Sequence, residues 1–265
     1  MLKDIDDQEM PLLDHLVELR NRLMKACVAL FLGFLLCYFF AEQIFQFLVQ
    51  PLAAAYQGET GRRMIYTGLT EAFFTYVKVA FWAGAFLTFP YIAAQLWIFI
   101  APGLYRNEKK AFLPFLAATP ILFFIGGAMV YYVIMPLAWR FFLSFETPPG
   151  EGALPIELEA RVAEYLGLVM KLIFAFGIAF QLPVGLTLMG RVGLITSQQL
   201  ASARKYAVVA IFGCAAVLTP PDIISQIGLG IPLILLYEIS IVSVRMAERR
   251  RAEADAAAED AAETS

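Results

Sequence analysis

Few residues of this chain could act in catalysis, and their spacing matches no common mechanism. The chain has one histidine in 265 residues, His15, and its three cysteines lie in apolar runs without a CxxC pair. A serine protease needs a base beside its nucleophile, a zinc protease needs two histidines at helical spacing, and a nucleotide-driven motor needs a glycine-rich loop with lysine. The sequence therefore predicts no enzyme, no metal site and no cofactor, and we interpret His15 as a surface or interfacial residue.

Polar side chains form a pattern just before the first long apolar run. Asp14 and Glu18 are four residues apart, and Arg22 continues the same helical face. Ion pairs of this kind on a solvated helix contribute only a few tenths of a kcal/mol each. The same segment carries a leucine stripe, which predicts an amphipathic helix that leads into the membrane: Leu12, Leu16, Leu19 and Leu23.

A second pattern is the aromatic-rich stretch from Gln95 to Lys110, which ends in mixed charge. On its own it is typical of an aromatic belt followed by a basic anchor at the membrane surface. Polar groups inside apolar runs are costly and mark candidate functional positions. Two stand out here, Gln181 and Glu238, and Glu238 is the deeper ionisable group.

The composition identifies a membrane protein. Hydrophobic residues make up 60% and charged residues 16% of the chain, against about 45–50% and 25% in ordinary soluble domains. The net charge of −3 gives no basic field that could hold a nucleic acid. We therefore expect the lipid bilayer, and no DNA or RNA, among the partners.

The apolar runs predict an all-α fold with six transmembrane helices, because about 20 apolar residues cross the hydrocarbon core. The expected spans are residues 23–41, 76–101, 111–138, 165–189, 206–218 and 227–244. The fifth is too short to span comfortably, and Thr-Pro-Pro-Asp separates it from the sixth. Either the bilayer thins around the fifth span or the two segments form a re-entrant hairpin, and we favour local thinning. A Gly-x5-Pro spacing in the second and fourth runs, Gly84 to Pro90 and Gly177 to Pro183, predicts kinked helices.

Lysine and arginine are distributed unevenly between the loops. Fourteen lie in the N-terminal segment, the second and fourth inter-span loops and the C-terminal tail, whereas the other loops hold four, Arg62, Arg63, Arg140 and Arg161. The positive-inside rule places both termini in the cytoplasm. We expect one membrane domain over residues 1–245, a cap from the glutamate-rich outer loop, and a tail over residues 246–265 that is disordered or a frayed helical extension.

Three ordered motifs resemble the TatC family of twin-arginine protein translocases. They are His15-Leu-Val-Glu-Leu-Arg-Asn-Arg-Leu23, Phe99-Ile-Ala-Pro-Gly-Leu-Tyr105 followed by Glu108, and Leu218-Thr-Pro-Pro-Asp222 followed by Gln226. With six expected spans, the resemblance covers about residues 11–245. It implies a multi-pass protein of the bacterial cytoplasmic (inner) membrane that recognises the Arg-Arg signal peptide of folded cargo. It also implies assembly with the single-span proteins TatA and TatB, in several copies, for export driven by the proton gradient.

The resemblance assigns roles to individual residues. Matching motif to motif gives Glu18, Arg20, Phe99 and Glu108 the signal-recognition roles. Pro51 takes the position of a helix break in the first outer loop, used structurally and in partner contact, and an ordinary kink is the equal alternative. Thr219 and Gln226 would dock a partner span. For Asp222, in the same partner-binding or structural set, we favour a local role as the cap of the sixth helix.

This chain departs from the family at one position and leaves two alternatives open. Many family members have a glutamate where this chain has Gln181, so a mechanism that needs a carboxylate there is in doubt. A small-solute secondary transporter would also have six kinked spans, but it requires a polar midplane cavity. A membrane scaffold without cargo fits the composition but not the paired recognition motifs.

Overall fold

The computed structural model describes residues 12–56, 62–100, 109–147, 154, 156–218 and 223–263, and these residues are almost entirely helical. A π-helical turn, Val130–Ile134, joins two of the helices. The helices are α1 Leu12–Phe39, α2 Ala41–Ala55, α3 Glu71–Ile100, α4 Lys109–Met129, α5 Met135–Leu143, α6 Val162–Ala179, α7 Leu182–Val192, α8 Ser197–Ser202, α9 Arg204–Leu218 and α10 Ile223–Glu263. The all-α prediction is confirmed.

Five stretches of the described residues are long and apolar enough to cross a bilayer. They are His15–Phe39, Glu71–Phe99, Phe115–Leu143, Val162–Val192 and Gln226–Glu253. The expected fifth span corresponds to α9, whose 15 residues reach only about 22 Å. Since the hydrocarbon core is about 30 Å thick, α9 is shorter than a full span.

The helix α1 is held mainly by α3, and two glycines let the helices touch. A Cβ added at Gly84 would lie 2.6 Å from the backbone nitrogen of Phe34, and one at Gly33 would lie 3.1 Å from the carbonyl oxygen of Gly84. Small residues permit such close backbone approach inside a membrane, where the hydrophobic effect does not drive helix association. The glycine pair therefore sets the register of the antiparallel helices α1 and α3.

The centre of the bundle is aromatic. Phe123 on α4 is fully buried and stacks on Phe89 of α3, with 3.6 Å between the ring centroids. Phe174 of α6 approaches the same ring edge-on at 5.7 Å. A Cβ at Gly177 would collide with Phe123, so α4 and α6 also pack closely. A buried core extends from α2 through α6 to α10 and includes Leu52, Phe176 and Ile241.

The two Gly-x5-Pro segments have different structures. The helix α3 runs unbroken through Pro90, whereas the fourth run divides into α6 and α7 at Phe180 and Gln181. At this break the amide of Gln181 donates to Ile178 instead of Gly177. The Gln181 side chain then donates to the carbonyl of Gly177 at 3.4 Å, so it supplies the partner that the break removed.

The last helix extends far beyond the expected span. Its 41 residues, Ile223–Glu263, continue through Pro232 and into the tail. Of the two expectations for the tail, disorder and a helical extension, the structure has the helix as far as Glu263. Alanine, glutamate and arginine dominate this part of the sequence, and all three are strong helix formers.

The bundle has two distinct ends. We call the end that contains the start of α1, the end of α7, α8 and the C-terminal half of α10 the basic side, because it carries most of the arginines. The opposite end, the cap side, is covered by residues 62–70, 144–147 and 156–161. Backbone hydrogen bonds join the cap, from Ile65 to Ala160 and from Val162 to Ile65.

One ion pair holds the cap together. Arg62 donates to both carboxylate oxygens of Glu146, at 2.7 and 2.6 Å, and the amide of Leu158 donates to the same carboxylate at 2.8 Å. The side chains of Arg62 and Glu146 are only 22% and 17% exposed. The hydrogen bonds from Arg62 and then from Leu158 hold the pKa of Glu146 below its usual range, although burial opposes them.

The Gly84→Ala substitution tests the α1–α3 contact. Because the new Cβ meets backbone atoms that cannot move aside, we expect a loss of about 1–3 kcal/mol in the free energy of unfolding. The measurement is thermal unfolding of the purified chain in detergent. The matched control is Gly167→Ala in α6, where a Cβ meets nothing within 4 Å. Equal stability of Gly84→Ala and the parent would contradict the proposed role of the contact.

The cap predicts a pH dependence of stability. A carboxyl group with a lowered pKa in the folded state stabilises the fold above its unfolded pKa of about 4.3, and this stabilisation is lost as the pH falls through the folded value. We expect Glu146→Gln to cost about 1–3 kcal/mol at pH 7 and to remove this acid-dependent loss. The control is Glu159→Gln, because Glu159 lies 3.7 Å from Arg63 in an exposed pair. Equal pH profiles for Glu146→Gln and the parent would rule out this role.

Candidate functional site

The contact between α1 and α3 places two residues of the recognition motifs side by side on the basic side. The ring of His15 stacks on the ring of Phe99, with 4.4 Å between centroids and 19° between the planes. His15 lies one turn before Glu18 on α1. The first motif and the start of the second therefore meet in space.

Glu18 lies on the neighbouring turn and is bound by its own chain. Arg22 donates to Oε1 of Glu18 from Nε at 2.8 Å and from its terminal nitrogen at 2.5 Å. The same guanidinium reaches Oε1 of Gln95 on α3 at 3.4 Å. The Glu18 side chain stays 26% exposed, and both bonds from Arg22 use the same carboxylate oxygen, Oε1.

The glycine contact explains why these residues meet. Arg22 lies eleven residues before Gly33 in α1, and Gln95 lies eleven residues after Gly84 in α3. In two antiparallel helices with equal rise, equal distances from a crossing point bring residues to the same level. The close contact at Gly33 and Gly84 thus fixes which side chains flank Glu18.

Two other residues of the recognition set behave differently. Arg20 is exposed and makes a 3.4 Å hydrogen bond to Asn21 on a different face of α1 from Glu18. Glu108 lies outside the described residues. The structure therefore places Phe99 against His15, one turn from Glu18, and Arg20 two residues after Glu18 on α1.

An open, mostly apolar groove begins one helical turn after Glu18 and follows α1 toward its C-terminal end. It has a volume of about 610 Å³. It starts at Asn21 and Lys25 and continues along one stripe of α1 to Leu32, with Tyr91 of α3 on its flank. From Glu18 to Leu32 the stripe is about 21 Å long. A carboxylate thus stands at the head of an extended apolar surface.

Sequence reasoning missed His15 and Gln95 as parts of this site. His15 was interpreted as an interfacial residue, and Gln95 as the start of an aromatic belt. The helical spacing indicates that His15, Glu18 and Arg22 share one face of α1, because they follow one another at intervals of three and four residues. Their contacts with α3 could not be read from that spacing.

A buried polar cluster lies deeper, where α3, α4 and the α6–α7 break meet. The indole of Trp97 donates to the hydroxyl of Thr119 at 3.0 Å, and the amide nitrogen of Gln181 donates to the carbonyl of Thr119 at 3.0 Å. The amide oxygen of Gln181 is buried and accepts no hydrogen bond from the described residues. Gln181 therefore stabilises the break and carries an unused acceptor, not a charge.

Glu238, the other polar residue expected inside the membrane, has a partner. Arg204 at the start of α9 donates to both carboxylate oxygens of Glu238, at 2.7 and 2.8 Å. The side chain of Glu238 is 42% exposed and that of Arg204 is 51% exposed. The pair connects α9 to α10. The sequence did not predict this pairing.

Pro51 lies inside α2 and is buried, and the helix continues to Ala55, so a helix break at this residue is wrong. Proline has no N–H group, so the carbonyl four residues earlier, that of Phe47, loses its usual donor. The hydroxyl of Tyr131 replaces it at 2.8 Å. Next to it, Tyr165 donates to the carbonyl of Leu48 at 2.9 Å. Tyr131 therefore replaces the donor that Pro51 lacks, and Tyr165 adds a second side-chain hydrogen bond to the α2 backbone.

The third motif is only partly visible. Thr219 and Asp222 lie outside the described residues. Gln226 in the first turns of α10 donates its amide to the carbonyl of Phe212 on α9 at 3.1 Å. This bond fastens the short α9 helix to the start of α10.

Comparison with known proteins gives the family of this fold and motif set. The family model described as Sec-independent protein translocase protein (TatC) matches residues 14–232. The chain belongs to the TatC family. Proteins named Sec-independent protein translocase protein TatC are similar to it at 52% identity in Magnetococcus marinus, covering 96% of this chain and 90% of that protein, and at 38% in Escherichia coli, covering 87% and 86%.

A solved structure agrees with this assignment. The crystal structure titled twin arginine translocase receptor TatC has a TM-score of 0.75 and 37% identity, and the match covers 88% of this chain and 99% of that one. The chain is therefore a component of a Sec-independent protein translocase, and not an enzyme. Its apolar helices and its bacterial relatives make it a multi-pass protein of the bacterial inner membrane.

The bond between Tyr131 and Phe47 predicts a compensating pair of substitutions. Tyr131→Phe should cost about 1–3 kcal/mol in the free energy of unfolding, because it leaves a buried carbonyl without a donor. Pro51→Ala restores an N–H group four residues after Phe47, so Tyr131→Phe should cost less in a Pro51→Ala background. The readout is the coupling energy from thermal unfolding of the four proteins in detergent.

Tyr132→Phe is the control for this pair, since Tyr132 is 68% exposed. It should leave the stability unchanged in both backgrounds. Additive costs of Tyr131→Phe and Pro51→Ala would show that the two residues do not share the Phe47 carbonyl.

Proposed function

We propose that this TatC-family chain is the subunit that binds the Arg-Arg signal peptide of folded cargo in the twin-arginine translocase. The observation that supports this most is the position of the Glu18 carboxylate, half-buried at the head of the groove along α1. A signal peptide presents two arginines followed by an apolar segment. The site offers a carboxylate followed by an apolar surface in the same order.

The chemistry of Glu18 suits a guanidinium. An incoming arginine either displaces Arg22 from Oε1 or binds at Oε2, and a planar guanidinium can engage both carboxylate oxygens at once. We propose that Glu108 supplies the second carboxylate and that Phe99 and Arg20 border the site. Because exposed ion pairs contribute at most about 1 kcal/mol each, the groove must provide most of the affinity.

We also infer the arrangement in the membrane. Both termini and the basic side face the cytoplasm, as the positive-inside rule requires. The helix α9 is the fifth of six spans, residues 1–245 form one membrane domain, and the bilayer thins beside α9 because a short helix is accommodated at modest cost. With this orientation, Glu18 faces the compartment in which cargo is synthesised.

The partners follow from the same proposal. TatA and TatB dock at the outer half of the bundle, at Pro51 and at the region that contains Thr219, Asp222 and Gln226. Several copies assemble, and the proton gradient drives export. The bond of Tyr131 to Phe47 beside Pro51 and the bond of Gln226 to Phe212 fasten both regions to the bundle.

The main alternative, a small-solute transporter, is not supported by the cavities. A cavity of about 500 Å³ lies between α1, α3, α4 and α6, among residues such as Trp82, Phe86 and Met170. No charged side chain of the described residues lines it. An apolar cavity gives a polar solute neither a binding site nor a path.

The test is binding of a synthetic signal peptide that has Arg-Arg before its apolar segment. Glu18→Gln should weaken photo-crosslinking and equilibrium binding about two- to fivefold, since one charge-assisted contact is lost. Glu108→Ala should have a similar effect. For a Lys-Lys peptide the loss should be smaller, because lysine cannot bind two oxygens in a planar fork.

Glu42→Gln is the matched control, since Glu42 is an exposed carboxylate at the start of α2, on the cap side. It should bind both peptides like the parent. Unchanged binding of the Arg-Arg peptide by both Glu18→Gln and Glu108→Ala, at equal protein abundance, would refute the proposed site.

A further inference from the structure

A second groove lies on the basic side, away from α1. It is formed by α4, α7 and α10 and has a volume of about 440 Å³. Its deep end is apolar, with Leu122, Pro183 and Leu236, and its mouth carries Arg191 and Arg250. The signal-peptide site on α1 and α3 shares no residue with it.

The walls of this groove are firmly packed. A Cβ added at Gly190 of α7 would lie 2.7 Å from a methyl carbon of Val244, so α7 and α10 touch directly beside the groove. On α10, Ile239, Ser243 and Arg250 follow one another along one stripe. Ile239 and the neighbouring Met246 are about half exposed, so the groove opens sideways toward lipid.

The depth of the groove matches one leaflet. From Leu236 to Arg250 the helix α10 rises about 21 Å, and each leaflet contributes about 15 Å of hydrocarbon to the bilayer. An extended acyl chain thus fits below the arginines. A transmembrane helix of a partner protein would need a groove that continues into the other leaflet.

The charge at the mouth is positive. The guanidinium of Arg191 lies 4.7 Å from the ring centroid of Phe115, which orients it at the groove entrance. The nearby carboxylate of Glu248 is used elsewhere, since it accepts from the amide and hydroxyl of Ser197 at 2.8 and 2.5 Å. Glu253 lies one turn beyond Arg250, farther from the apolar groove.

We propose that this groove binds an anionic phospholipid, with a phosphate at Arg191 and Arg250 and one acyl chain between α4, α7 and α10. Basic pockets between spans on the cytoplasmic side suit such headgroups. A zwitterionic lipid would bring its own cationic group next to two arginines. The charge of the mouth therefore selects phosphatidylglycerol or a related anionic lipid over phosphatidylethanolamine.

The experiment is native mass spectrometry of the purified full chain with phosphatidylglycerol or phosphatidylethanolamine of identical acyl chains. We expect the parent to bind phosphatidylglycerol about tenfold more tightly. The double variant Arg191→Gln/Arg250→Gln should lose this preference. Ser243→Phe keeps both arginines and fills the groove, so it should weaken binding of phosphatidylglycerol by a similar factor.

The matched control is Arg245→Gln/Arg249→Gln, which removes two exposed charges of the same helix that do not line the groove. It should retain the preference of the parent. Equal loss in this control would show a diffuse charge effect and overturn the site. So would displacement of the lipid by excess inorganic phosphate, or unchanged binding in Ser243→Phe, because neither is compatible with a seated acyl chain.

Discussion

The close contact of α1 and α3 at Gly33 and Gly84 is the constraint on which the candidate site around Glu18 depends. Much of α1 is exposed, and α3 is its principal neighbour. Only the absence of side chains at these two positions lets the backbones meet. Both helices continue without interruption from this contact to the basic side. The contact therefore determines that Arg22 meets Gln95 and that His15 meets Phe99.

The rest of the bundle shows how irregular backbone is tolerated in lipid. At Pro51 the freed carbonyl of Phe47 is satisfied by Tyr131, and at the α6–α7 break the carbonyl of Gly177 is satisfied by Gln181. An unpaired carbonyl in hydrocarbon costs several kcal/mol, so each carbonyl that has lost its helical donor needs a side-chain donor from nearby. The hydroxyls and amides inside this protein therefore serve the backbone first.

Sequence patterns predicted the helices and membrane character of this chain better than its site. Apolar runs and the first two motifs located α1 and α3, because helical period and length are local properties. They did not reveal the bonds from Arg22 to Gln95, from Arg204 to Glu238 or from Tyr131 to Phe47, since these partners lie 73, 34 and 84 residues apart in the sequence. Register between helices depends on backbone contacts, and periodicity carries no information about those.

The internal bond from Arg22 to Glu18 bears on the release of a signal peptide under the proposed function. A bare carboxylate at the membrane surface would have to be rehydrated each time a ligand leaves. With Arg22 beside it, the guanidinium of the same chain would take the vacated position, so one arginine would be exchanged for another with little net change in solvation. Such an exchange would keep occupancy short-lived and favour release.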